Sequence, residues 1–162
     1  MLTAISAEQL KALEQTLHRE IPLTLAMGIT VVGFDEHGLT LAAPLASNLN
    51  DKRTAFGGSL AALATLAGWG LVHLVLRDHG PATVVIRECN VSYLRPVTRD
   101  IVATCSPPTP TELEKFLRTF ERRGMARIEL DVTIKANGED AVRYHGVYVA
   151  LDKARHPEAE SI

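Results

Sequence analysis

Asn48, Asn50, Asp51 and Thr54 lie in a polar loop that runs straight into Phe56-Gly57-Gly58-Ser59, and an apolar run from Leu60 to Leu76 follows. Thr65 is the one hydroxyl residue inside that run. Side-chain amides donate hydrogen bonds, and a Gly pair lets a ligand come close to the backbone. If the run is a helix, the N–H groups of Gly57 and Gly58 stand at its positive end. Such donors suit an oxygen that gains negative charge during a reaction. Asn50 is the leading side-chain donor and Asn48 the second. Both also suit a turn, in which Asn bonds its own backbone. Thr54 suits a contact to a substrate or a cap on the loop, and Ser59 suits an N-cap.

The elements that hold these residues follow from pattern. The run from Leu60 is too long for one strand and rich in Ala and Leu, so it predicts a helix. It is apolar nearly all round, which predicts burial on most sides. Its length approaches that of a membrane span. Gly68, Gly70 and His73 interrupt it, however, and amphipathic strands follow, so a core helix is expected and no membrane partner. Arg77, His79 and Gly80-Pro81 suit its end.

Before the loop, Ser6-Ala7-Glu8-Gln9 has the form of a capping box, with Leu10, Leu13 and Leu17 at helical spacing. Residues 22–28 leave room for a short second helical turn. Ile29 to Asp35 and Leu39 to Ala46 predict two strands joined at Glu36-His37-Gly38. After the central helix, Thr83 to Val97 predicts a long strand, with Thr98 to Ser106 returning from it. Thr109-Pro110-Thr111-Glu112 is a second capping box, opening a helix that presents Leu113, Phe116, Leu117 and Phe120 on one face. Ala126 to Ile134 alternate apolar and polar, as in a strand with one wet face. Asn137-Gly138 predicts a hairpin into a last strand, Val142 to Leu151. One buried helix and about six mainly antiparallel strands make an α+β domain in which the sheet wraps the helix.

Composition narrows the class. The 162 residues suit one domain, and 46% are apolar. A net charge of −2 and few aromatics argue against nucleic acid or an anionic membrane as partner. Met1 to Leu17 lacks a signal-like apolar core, so the cytoplasm is the expected compartment. Cys89 and Cys105 lack metal-site spacing, and each is expected to be a buried free thiol.

The order of elements resembles the hotdog fold. Asn48-Leu49-Asn50, then Thr54-x-Phe56-Gly57-Gly58-Ser59, then Leu66-x-Gly68-Trp69-Gly70 are similar to one bacterial branch of it. Asn90 to Val97 and Gly146-Val147-Tyr148-Val149 also match strands of that branch. It comprises standalone hotdog proteins and hotdog C-terminal domains labelled thioesterases, and some of its members are malonyl-ACP decarboxylases. The resemblance implies a single hotdog domain over residues 1–152, and the residues of the tail, 153–162, are polar and expected to be loose. It further implies a homodimer or larger homo-oligomer with sites between subunits. An acyl carrier protein (ACP) or CoA thioester would be the substrate, with no metal or redox cofactor.

Hotdog thioesterases of the phenylacetate-pathway type carry Asn, then His-Gly-Gly, then a carboxylate along the central helix. Here Asn50 matches the Asn, Phe56-Gly57-Gly58 matches His-Gly-Gly, and Thr65 stands where the carboxylate would be. Thioester hydrolysis needs a base or nucleophile. Thr65 is a poor base, and Asp51 and Glu88 are the alternatives, each equally readable as a solvated charge. Decarboxylation of a malonyl thioester needs neither. It needs donors at the developing enolate oxygen, which Asn50, Gly57 and Gly58 supply. A carboxylate at position 65 would repel the malonyl group. The expected reaction is therefore decarboxylation of malonyl-ACP to acetyl-ACP for fatty-acid synthesis, with thioester hydrolysis or pure acyl binding as alternatives. Asn48, Thr54, Phe56 and Ser59 are expected near the substrate. Arg95, Arg122, Arg123 and Arg127 are expected to meet phosphate or an acidic carrier.

Overall fold

The computed structural model describes residues 5–158. Both capping boxes form. In helix α1 (Ala7–Glu20), the Ser6 and Gln9 side chains each accept from the other's backbone N–H. In helix α4 (Pro110–Arg123), Thr109 and Glu112 do the same. A short helix α2 (Leu23–Met27) occupies the region that pattern left open.

The strands are β1 (Thr30–Asp35), β2 (Gly38–Ala43), β3 (Ala82–Tyr93), β4 (Ile101–Cys105), β5 (Met125–Ala136) and β6 (Glu139–Asp152). They form one sheet in the order β1-β2-β4-β5-β6-β3, with antiparallel neighbours throughout. The segment that returns from the long strand does not pair with it. β3 ends at Tyr93, and the chain then crosses beneath the start of the central helix. Ala55 N–H donates to Val97 O at 2.8 Å and fixes that crossing. β4 enters the sheet between β2 and β5 instead. This leaves β3 as an edge strand paired only with β6.

Helix α3 (Gly57–Leu76) lies across the concave face. By length and apolarity it would pass for a membrane span, but 67% of that stretch is buried within the protein. Leu63, Ala64, Ala67, Leu71 and Val72 pack against Leu39, Leu41, Ile101, Ile134 and Val142 in one core. α1 and α4 close that core with Leu13 and Leu17 and with Leu113, Phe116 and Phe120. A long core helix wrapped by an antiparallel sheet is the expected α+β hotdog arrangement.

Two smaller expectations are corrected. Cys105 is buried, but Cys89 is exposed because its strand is at the sheet edge. The chain from residue 153 is less loose than its polarity suggests. Lys153 N–H donates to Pro81 O at 3.1 Å, and an Arg155 guanidinium N–H donates to Arg122 O at 3.1 Å. Residues 159–162 of that tail lie outside the described residues.

Candidate active site at the edge of the central helix

The polar loop folds on its own side chains. Asn50 Oδ1 accepts from the backbone N–H groups of Lys52 at 2.9 Å and Thr54 at 3.0 Å. Its amide donates to Thr54 Oγ1 at 2.9 Å and, over 3.4 Å, to Ala55 O. The last contact is long for a hydrogen bond. One Asn50 N–H is therefore weakly held and available to a better acceptor. Thr54 serves the loop through the same contacts.

Asn48 is buried, at 2% exposure. Its amide donates to Met27 O at 2.9 Å and Pro44 O at 2.8 Å, clamping α2 to the loop. Burial and full use of its donors set it apart from the substrate contacts expected of it.

Ser59 is not the N-cap. Phe56 takes that position, and its side chain caps nothing. Leu60 N–H is bonded to Phe56 O, so the N–H groups of Gly57, Gly58 and Ser59 precede the first intrahelical bond. They form the positive end of a 20-residue helix with no side-chain cap over it. The exposed Phe56 ring lies against Gly58, where an added Cβ would come within 2.3 Å of it. That contact explains the second glycine and leaves the amide open.

Thr65 lies seven residues along the helix from Gly58, a rise of about 10 Å. One chain therefore does not bring Thr65 to the Gly57–Gly58 amides. Its hydroxyl donates to Tyr144 Oη at 3.1 Å. Tyr144 Oη lies 3.3 Å from Tyr148 Oη, and Tyr148 donates back to Thr65 O at 2.8 Å. Burial pushes both phenols above the ordinary tyrosine range. Cys89, paired in register with Gly146, is near enough to the Tyr144 hydroxyl to help raise its pKa.

These contacts follow the seam between the partly exposed stripe of α3 and the inner side of β3, which is taken as the cleft of the candidate site. Tyr93 Oη donates to Gly57 O at 3.0 Å at one end. Trp69 Nε1 donates to Val84 O at 3.0 Å at the other. The Trp69 ring also stacks on His73, centroids 5.1 Å apart, and burial lowers the His73 pKa. Thr65, Tyr144 and Cys89 lie between these two ties. The sequence pattern assigns no site role to Tyr93, Trp69 or Tyr144, and to Cys89 only that of a buried thiol. The one signal was the Tyr-x-Gly-x-Tyr alternation at residues 144–148, which puts two phenols and a gap on one face of a strand.

The remaining candidates separate by position. Asp51 is exposed and paired with Lys52 at 2.9 Å; Glu88 is exposed, with Arg87 at 3.9 Å. Both match the solvated reading. Arg95 pairs with Glu139 near the helix N-terminus. Arg122 and Arg123 end α4, and Arg127 pairs with Glu129 at 2.5 Å on β5. Arg95 bonds Ala141 O, whereas Arg127 is in register with Val149. Eight residues of strand, about 27 Å, separate these two points on β6. The four arginines do not form one site within a chain. Among the described residues, no cluster of His, Cys, Asp and Glu could hold a metal ion.

Residues 10–152 match the model of the family described as "Putative thioesterase (yiiD_Cterm)". The chain belongs to that family. A protein of unknown function from Chlorobaculum tepidum is 36% identical over 88% of this chain and 93% of its own, with a TM-score of 0.82. A putative thioesterase from Shewanella oneidensis is 30% identical over 90% and 99%, with a TM-score of 0.81. A Haemophilus influenzae thioesterase, 19% identical over 94% and 96% with a TM-score of 0.71, shares the fold. Membership places the chain among proteins that act on acyl thioesters.

Proposed function

We propose that this family member decarboxylates malonyl-ACP to acetyl-ACP in the cytoplasm, supplying fatty-acid synthesis. The observation that carries this reading is Thr65. Its hydroxyl sits in a network of neutral groups where a hydrolase of this fold would need a base, and both carboxylates proposed instead are solvated. In the reaction the thioester oxygen sits at the Gly57 and Gly58 amides with the loosely held Asn50 N–H. The bond from the methylene carbon to the carboxylate breaks, and carbon dioxide leaves. The electron pair passes to the thioester oxygen, where the donors stabilise it. A proton from water then completes the acetyl group.

The reading includes a homodimer joined along β3. That strand is an open edge with Val85, Ile86 and Tyr93 exposed, and open edges invite pairing. A two-fold axis that crosses the α3 stripes near Ala61 and Ala62 would set Gly58 of one copy against the partner's Thr65, across the rise of about 10 Å that separates the two positions within one chain. Arg95 is the arginine assigned to the carrier on the donor side, whereas Arg127 lies about 27 Å of strand away from it. Hydrolysis is the second reading, because the family description names it.

Mass spectrometry of malonyl-ACP incubated with the protein tests the proposal. Acetyl-ACP with loss of carbon dioxide is expected. Free ACP thiol with malonate would replace decarboxylation by hydrolysis.

A further inference from the structure

The hydroxyls beneath α3 form a chain whose proton order is fixed. Thr65 O is a carbonyl and only accepts, so Tyr148 gives its single proton to it. Tyr148 then has no proton for Tyr144, so Tyr144 gives its own to Tyr148 or to the neighbouring Cys89 sulfur. Tyr144 has none left for Thr65, so Thr65 donates to Tyr144. Each step follows from one proton per hydroxyl. The result is a Thr65 hydroxyl whose proton points into the protein and whose lone pairs are left for the cleft.

The sequence has shaped itself around this chain. Tyr144 and Tyr148 are 2% and 0% exposed. A Cβ on Gly68 would stand 2.1 Å from Tyr148 Oη, and one on Gly146 would stand 2.7 Å and 2.8 Å from the two rings. Two missing side chains therefore seat two phenols against the helix backbone. Phenylalanines would fill the same space with no hydroxyl to satisfy. Burial also keeps both phenols protonated at neutral pH, so the order persists there.

We infer that Tyr144 is a positioning residue that holds Thr65 as a hydrogen-bond acceptor only, denying the malonyl carboxylate a donor at the place where it must leave. This rests on the decarboxylase reading above. A hydroxyl free to turn would donate to the carboxylate and stabilise the bound substrate more than the transition state, which slows the chemical step. A hydroxyl fixed as an acceptor offers the carboxylate nothing.

Tyr144→Phe removes the acceptor and frees the Thr65 proton. Malonyl-ACP should then bind tighter and react more slowly, with KM and kcat both falling by about tenfold, the size of a coupling of ~1.4 kcal/mol. Both changes should vanish when Tyr144→Phe is placed on Thr65→Val. A merely structural loss raises KM or lowers kcat alone and survives in the double variant; either result overturns the inference. The same cycle is read on the Kd of a malonyl-ACP analogue with N–H in place of the thioester sulfur. That amide binds without turnover, so a wild-type protein inactive on malonyl-ACP defeats the decarboxylase reading while the binding cycle still decides the role of Tyr144. Tighter analogue binding in Tyr144→Phe, absent in the double variant, supports it; unchanged binding sinks it.

Discussion

Asn50 holds its loop through three short hydrogen bonds and one long one, and the long one decides what a substitution does. Asn50→Ala removes the donor proposed for the enolate oxygen along with two acceptor contacts to the loop backbone. Loss of one such donor costs about a hundredfold to a thousandfold in turnover. Asn50→Asp keeps both acceptor contacts and lacks the donor. Rates of acetyl-ACP formation should therefore fall in both variants, while circular dichroism stays native in Asn50→Asp. Full turnover in either removes Asn50 from the chemistry. On the outer face of the sheet, His145 Nδ1 lies 2.8 Å from Asp131 and Nε2 lies 3.3 Å from Glu129. The hydrogen bond to Asp131, aided by both negative charges, raises its pKa. His145 should titrate above about 6.5 by NMR, and Asp131→Asn should bring it down. The sign for stability follows. The contribution is full below the unfolded pKa and is lost as pH rises through the raised folded value.

At the scale of elements, the fit between α3 and β6 is tight enough to predict a cost and its rescue. Gly68→Ala drives a methyl into the Tyr148 hydroxyl, and overpacking of this kind costs about 1–3 kcal/mol. Tyr148→Phe removes the clashing oxygen, so Gly68→Ala should destabilise that background less, as read by urea unfolding. Equal losses in both would place the strain elsewhere. This contact also shows what a sequence conceals. The helix, both capping boxes and the Asn137-Gly138 hairpin were legible because each is written in neighbouring residues. The Gly57–Gly58 amides and the Asn50 loop were legible for the same reason. The partner of β3 was not, because alternation sets which face is buried and leaves strand order open. The Ser59 cap was misplaced because the chain already turns helical at Gly57, where a glycine pair carries no capping signal. The Tyr144–Thr65 contact spans 79 positions and belongs to packing alone.

At the scale of the whole molecule, the open edge of β3 is the feature that a single chain leaves unexplained. The strand is 12 residues long and antiparallel to one neighbour only, and its inner side faces the cleft. Long uncovered edges are a liability that proteins usually cover or pair. The proposed pairing of two copies there would hide Ile86 and Tyr93 and make each site from two subunits. Catalysis and assembly should therefore fail together. Ile86 is 40% exposed in one chain, so Ile86→Glu should leave the monomer folded while placing two like charges near the shared edge. Light scattering should give twice the 17.6 kDa chain mass for the wild type and the chain mass for the variant. If the partner's Thr65 completes the site as proposed, acetyl-ACP formation should be lost in the variant despite intact Asn50, Gly57 and Gly58. A monomeric Ile86→Glu protein with full activity would show that one chain holds a whole site. An unchanged dimer would move the interface away from β3.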